Sequence, residues 1–372
     1  MRSEFGKRLS VSLVGESHGA FVEATVSGFP MGLAVDFKAL SHAMERRRGG
    51  GALATPRRES DEPIFLSGIA SGVTTGDPIT VRILNQNQRS GDYHGFCDTP
   101  RPSHADYTAQ MRYGREIDLR GGGHFSARLT APLVAVGELA RQALSLRGIS
   151  VGAHLEAVGG IRERRYLTLA LTEDELLSPG RKDFPVLDDA VGEAMKREIR
   201  SAAESGDSIG GIVECGAIGL PAGIGSPLGR GLENLLAGAI FVLGGVRGIE
   251  FGDGFAAAAM SGSAHNDPFC IRDGRVATES NHAGGIVGGI STGMPLLFRV
   301  AMKPTASISR EQKTVSLSAM RETTVRVGGR HDPCIALRAV PCVEAIASIV
   351  LLEAILETEE EKNESREMPS RY

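Results

Sequence analysis

Glycine occupies 48 of the 372 positions, about twice the roughly 7% usual in globular proteins, and it comes in clusters without a collagen period. A residue without Cβ enters left-handed backbone readily and lets main chain come close to a neighbour or a ligand. Runs such as "RRRGGG", "RGGGHFSAR" and "NHAGGIVGGISTG" therefore imply many tight turns and several places where backbone meets a ligand. Tryptophan is absent and other aromatic residues are few.

Between the glycine clusters, "RLSVSLVG", "PITVRIL", "GIVECGAIG" and "LLFRVAMKP" carry the alternating or β-branched pattern of strands. Helical patterns follow in "DFKALSHAMERRR", starting on the N-cap Asp36, in "SARLTAPLVAVGELARQALSLRG" and in "DDAVGEAMKREIRSAAESG". The last two stop before Gly148 and Gly206. A fourth helix, from "DPCIALRAVPCVEAIASIVLLEAILE", is expected to open with Asp332 as N-cap and Pro333 at N1, and to kink at Pro341. The order of elements does not alternate as βαβ, so the expected class is α+β with antiparallel sheets. Length alone allows two or three domains, but no Pro- or Ser-rich linker divides the chain.

A net charge of −4 gives no global bias toward nucleic acid or an anionic membrane. The most apolar stretch, "AIASIVLLEAIL", is interrupted by Glu353 and reads as too short to span a bilayer. Five cysteines without a CxxC pair suit a reducing compartment, and the N-terminal stretch has no apolar signal region, so the expectation is a cytoplasmic protein.

Four glycine-rich segments share a small set of polar residues. "GESHG" puts His18 at a strand end. "RPSHADY" offers Ser103 and Asp106 as a capping-box-like start, with His104 in the first helical turn, a place suited to proton transfer. "RGGGHFSAR" brings Ser126 and Arg128 to a helix start, where backbone N–H groups bind anions. After "NHAGGIVGGISTG", a strand ends in Lys303, Thr305 and Ser307, a set able to hold phosphate. Arg46 to Arg48, with Arg57 and Arg58, make one strongly basic stretch in an acidic protein, which fits a doubly anionic small molecule better than a polymer. "GGRHDPC" adds Arg330, His331 and Asp332. Neither a Rossmann nor a Walker pattern is present, nor HExxH, CxxC, DxD or a nucleophile elbow, so no metal site is expected.

Together with "QRSGDY" and "GIEFGDGF", these segments stand in an order and spacing that resembles the chorismate synthase family, from near residue 5 to near residue 356. The resemblance implies a catalytic domain over 1–356, followed by a charged, flexible tail over 357–372. It implies helices sandwiched between antiparallel sheets, and a homotetramer. It also implies a carbon–oxygen lyase that converts 5-enolpyruvylshikimate 3-phosphate to chorismate by anti 1,4-elimination of phosphate. Reduced FMN is required without net redox change, and NADPH matters only if a flavin reductase activity is present. By the same resemblance His18 and His104 are the acid–base histidines, and Asp332 is the base. Ser17, Arg128 and Arg330 contact substrate or flavin, and Arg47 binds a phosphate of substrate or NADP. Ser126, Gly288, Lys303, Pro304, Thr305, Ala306, Ser307 and Arg330 fall on flavin-binding positions.

The chain departs from the family pattern at three places. The loop after Arg48 is shortened to "GGGALATP", His124 and Phe125 replace an arginine and a serine, and Gly244 and Gly245 replace Asn-Ala or Pro-Ala. The last two touch the flavin site, so flavin is expected to bind weakly and to tighten with substrate. The alternative function is a flavin-impaired relative that binds an anionic ligand or serves as a scaffold.

Overall fold

The computed structural model describes residues 1–48, 53, 60–86, 96–168, 170–328 and 331–367. Two five-stranded antiparallel sheets carry the fold. The first contains β1 (Arg2–Phe5), β2 (Ser10–Gly15), β3 (Phe21–Ser27), β4 (Ile64–Ser67) and β5 (Ile79–Leu84), in the order β1-β2-β3-β5-β4. Its inner face is what the period-two pattern requires: Val22, Ala24, Val26, Ile79, Val81 and Ile83 are all fully buried.

The second sheet contains β6 (Ser150–Val158), β7 (Ile161–Arg162), β8 (Gly211–Ile218), β9 (Val246–Phe251) and β10 (Leu296–Met302), in the order β9-β10-β8-β6-β7. Residues 151–158 of β6 are buried without a break. One face of β6 meets a long helix, and the other meets Tyr166 and the short helix Glu173–Leu177. That double burial hides its strand signal, because "SVGAHLEAV" places His154 and Glu156 inside.

The helices are α1 (Phe37–Arg48), α2 (Asp106–Tyr113), α3 (Thr130–Ser145), α4 (Asp189–Glu204), α5 (Leu232–Ile240) and α6 (Ala336–Glu367). α3 packs on β3 and β5 of the first sheet, while α6 packs on β6 and β8 of the second, and the two helices touch each other. Helices thus lie between antiparallel sheets, and one continuous core takes residues from both. The approach of α3 to α6 depends on Gly137, where a Cβ would stand 2.3 Å from that of Ala345. An alanine there overpacks the core and costs about 1–3 kcal/mol.

Asp36 caps α1 by accepting from the Lys38 and Ala39 amides, as expected, and Asp188 caps α4. Two expected caps do not form. α6 begins at Ala336, and the Cys334 thiol, not Asp332, meets the amides of Ala336 and Leu337. α2 begins at Asp106 with no side-chain cap, Ser103 has left-handed backbone at φ +57°, and His104 precedes the helix. In both cases the aspartate is taken by an arginine, which binds a carboxylate more strongly than an amide does.

α6 runs through Pro341 as a single element and continues to Glu367, so no structural boundary falls at residue 356. Thr358 is buried, and ion pairs from Arg8 to Glu360 and from Arg230 to Glu357 tie this part to the body. By length and composition the segment Ala336–Glu364 matches a membrane span, contrary to the expectation of too short a stretch, but its most apolar window lies wholly inside the core.

Candidate active site

A cavity of about 1150 Å³ opens where the glycine-rich connection before α3 faces the C-terminus of α1, residues 241–247, residues 303–307 and the start of α6. Pockets for one small molecule run to about 300–1,000 Å³, and this one lies just above that range.

On one wall stands His104. Asp106 is fully buried and accepts from Arg101 three times, at 2.7 Å from Nε and Nη2 and at 3.0 Å from its backbone N–H. His104 Nδ1 is 2.6 Å from the same carboxylate. Burial by itself would raise the Asp106 pKa, but the hydrogen bonds from Arg101 and His104 hold it well below the usual carboxylate range. An ionised Asp106 accepts, so Nδ1 carries the proton and donates, and Nε2 is turned toward Gly122 and the cavity. Arg101 Nη1 donates to Ser307 Oγ at 3.0 Å, which links this wall to the loop after β10.

The glycine arch Gly121–Gly123 has left-handed φ throughout, between +55° and +90°. A Cβ on Gly121 would lie 2.6 Å from the His18 ring and 2.7 Å from Ser17 Oγ, so only glycine fits over this pair. Ser17 donates its backbone N–H to the Gly123 carbonyl, and its buried hydroxyl has no hydrogen-bond partner among the described residues. His18 is 7% exposed and lines the cavity.

The floor is basic. Arg47 and Arg128 both pair with buried Asp61. Arg338 Nη1 donates to Asp332 Oδ2 at 2.8 Å, and its Nε donates to the Arg47 carbonyl. Thr305 Oγ1 donates to the Asp332 backbone carbonyl at 2.6 Å. Lys303 donates to the Ser103 carbonyl. Burial, and then Arg247, lowers its pKa. His331 also has a lowered pKa, chiefly from burial, and donates to the Gly328 carbonyl if protonated on Nε2.

Fourteen of the residues expected from the sequence line this cavity: His18, Arg47, His104, His124, Phe125, Ser126, Arg128, Gly244, Gly245, Lys303, Thr305, Ala306, Ser307 and Asp332. Ser17 lies just behind the glycine arch, and Pro304 sits between two lining residues. Gly288 does not join them. It turns the small hairpin Ile286–Val287 to Ile290–Ser291, whose neighbour Gly289 packs on Ser226 and Gly231. Arg330, Arg57 and Arg58 lie outside the described residues. His124 has both ring nitrogens engaged, with the Gly15 carbonyl and the Ser3 hydroxyl each at 2.8 Å, so it pins β1 and β2 to the arch.

Sequence reasoning missed Asp61, Arg101 and Arg338 as site residues and read Asp106 as a cap. Asp106 stands beside His104 in "RPSHADY", which was the available signal.

The arrangement is that of an enzyme acting on a small, multiply anionic molecule by proton transfer, with two histidines and a carboxylate around arginines and a lysine. A family model described as chorismate synthase matches residues 9–356. A chorismate synthase of Thermococcus gammatolerans is 45% identical over 351 residues, which cover 94% of this chain and 97% of that protein. One from Lancefieldella parvula is 41% identical over 374 residues, 98% of each chain. A solved structure titled "Crystal Structure of Chorismate Synthase" superposes with a TM-score of 0.72 at 27% identity, over 97% of both chains. The chain belongs to the chorismate synthase family.

Proposed function

We propose that this chain converts 5-enolpyruvylshikimate 3-phosphate to chorismate by 1,4-elimination, breaking one C–H bond and one C–O bond to phosphate with no net redox change. The carrying observation is the convergence of His18, His104 and Asp332, from three distant parts of the sequence, on one arginine-floored cavity. Arg47 and Arg128 would bind the phosphate and carboxylates of the substrate. Asp332, oriented by Arg338, would accept the proton from carbon. His18 would protonate the leaving phosphate. His104, with Nδ1–H fixed by Asp106, would hold a proton at Nε2.

The residues also fit a flavin phosphate. Lys303, Thr305, Ser307 and Ser126 line the cavity and supply donors. Reduced FMN, when bound, would supply the transient electron density that an unactivated elimination needs. Nothing in the site favours the scaffold alternative, since every proposed proton-transfer group lines the cavity.

For the assembly we infer a homotetramer. The hairpin Phe269–Arg272 with Arg275–Thr278 leaves Phe269, Ile271 and Val276 at least two-thirds exposed, an apolar surface suited to a second copy. Light scattering of the purified chain tests this.

Anaerobic incubation with substrate and chemically reduced FMN tests the reaction. Chorismate and phosphate should form in equal amounts, and neither should form with oxidised FMN. Absence of both products with reduced FMN would overturn the reading. NADPH oxidation in the same mixture reports any reductase activity.

A further inference from the structure

Arg47 and Arg128 share one internal carboxylate. Asp61 is 1% exposed; its Oδ2 accepts from Arg47 Nη1 at 2.7 Å, and its Oδ1 accepts from Arg128 Nη1. Arg47 also donates from Nε to Thr130 Oγ1 and from Nη2 to the Ala127 carbonyl, both at 2.9 Å. Arg128 donates from Nε to Asn85 Oδ1 at 2.6 Å and from Nη2 to the Leu84 carbonyl at 3.0 Å. Each guanidinium has five N–H donors. Three are gripped from the protein side while both groups line the cavity.

The electrostatics need this carboxylate. Burial and then the nearby Arg338 lower the Arg47 pKa to about 10, with Asp61 acting in the opposite sense and Arg128 adding to the decrease. Burial would raise the Asp61 pKa, yet Arg47 and Arg128 hold it below the usual value. Asp61 also has left-handed backbone at φ +51°. Without this carboxylate, two buried, adjacent cations would repel each other.

We propose that Asp61 is a built-in counter-anion that holds Arg47 and Arg128 side by side at the cavity wall, so that an anionic group of the ligand binds in competition with its charge. This rests on the reading of the cavity as the seat of a phosphorylated, carboxylated substrate. The role needs the charge of Asp61 and not merely its shape. With the carboxylate the three groups carry a net charge of one; without it they carry two, and an external anion takes its place.

The test is the full-length Asp61→Asn variant, with inorganic phosphate as probe at constant ionic strength. Thermal unfolding and calorimetric titration are compared with the parent. Removal of one negative charge beside two cations should tighten phosphate binding roughly tenfold or more. The Tm lost in phosphate-free buffer should return at saturating phosphate, because an anion bound only by the folded state stabilises it. Phosphate affinity equal to or weaker than the parent's, or a Tm loss that phosphate does not repair, would show that Asp61 only packs. If Asp61→Asn yields no folded protein, Asp61→Asn/Arg128→Gln restores the net charge of one. That variant should fold, with weaker phosphate binding because Arg128 is itself an anion-binding group, and its failure to fold also overturns the proposal. Phosphate binding is read without turnover. A parent that makes no chorismate while the variant shows the expected anion response retires the reaction and leaves the clamp standing.

Discussion

Two histidine–carboxylate clusters in this molecule use the same chemistry to opposite ends. At the cavity, His104 donates from Nδ1 to Asp106, and Nε2 is left toward open space. In the second sheet, His154 is fully buried between two glutamates, with Nδ1 against Glu163 and Nε2 2.9 Å from Glu214. Tyr166 and Arg165 close around Glu214, and the amides of Leu187 and Asp188 close around Glu163. Both rings are oriented by carboxylates. Only one retains a nitrogen with somewhere to send a proton. A perturbed histidine beside an acid is therefore not sufficient to mark a catalytic site; an unengaged ring nitrogen facing a cavity is the discriminating feature.

The contrast predicts a clean separation of activity from stability. His104→Ala should lower turnover about 10²–10⁴-fold, as for other lost general acid–base groups, while Tm stays close to the parent's. Asp332→Asn should lower turnover comparably. Because Cys334, not Asp332, meets the first amides of α6, Asp332→Ala should add no loss of the kind a missing helix cap causes. Steady-state kinetics with reduced FMN and thermal unfolding of the same preparations check all three. Full turnover in His104→Ala would erase the distinction between the two clusters.

The reciprocal variant, Glu214→Gln, removes one of the two buried carboxylates that hold His154 and the one that faces Arg165. It should cost about 3–5 kcal/mol of stability, as for other broken buried ion pairs, with turnover per folded molecule unchanged. Denaturant unfolding measures the first, and active-site-normalised kinetics the second.

pH sharpens the same point. Burial alone would lower the His154 pKa, but hydrogen bonds to Glu163 and Glu214 prevail and raise it to about 9. An unfolded histidine titrates near 6.5. The folded value lies above the unfolded one, so this stabilisation is fully present below about pH 6.5 and is lost as pH rises through about 9. Tm should fall over that window in the parent, and the fall should be smaller in His154→Gln. An identical pH slope in both proteins would assign the loss to other groups.

The smallest effect concerns the cavity's own departure from its family. Phe125→Ser should strengthen FMN binding by about one hydrogen bond, 0.5–1.5 kcal/mol, in a fluorescence titration. An unchanged or weaker affinity would mean that the Phe125 ring itself packs on the ligand.

Local rules were enough for much of the architecture. Alternation in "PITVRIL" and "LLFRVAMKP" identified β5 and β10, and Asp36 and Gly206 marked real helix ends. The glycine clusters marked real close approaches: the arch at Gly121–Gly123 has the backbone that only glycine adopts comfortably. The histidines and most cavity-lining residues were legible too, because they lie beside those clusters. β6 was not, since double burial with polar residues inside removes the alternation on which strand reading depends.

The carboxylates show where sequence ends and tertiary structure begins. An aspartate just before a helix has the same sequence signature whether it caps that helix or binds an arginine. Asp36 caps; Asp332 turns to Arg338; Asp106 serves Arg101 and His104, in a network that reaches Ser307 some 206 residues beyond Arg101. Asp61 has no local role to read at all, because its partners Arg47 and Arg128 come from separate elements. Sequence by itself determined which elements form, where backbone must bend, and that many anion-binding groups exist. The tertiary structure decided which charges meet and which are dried. That choice depends on burial, because a carboxylate exchanges water and amides for a guanidinium only where the fold excludes solvent from both.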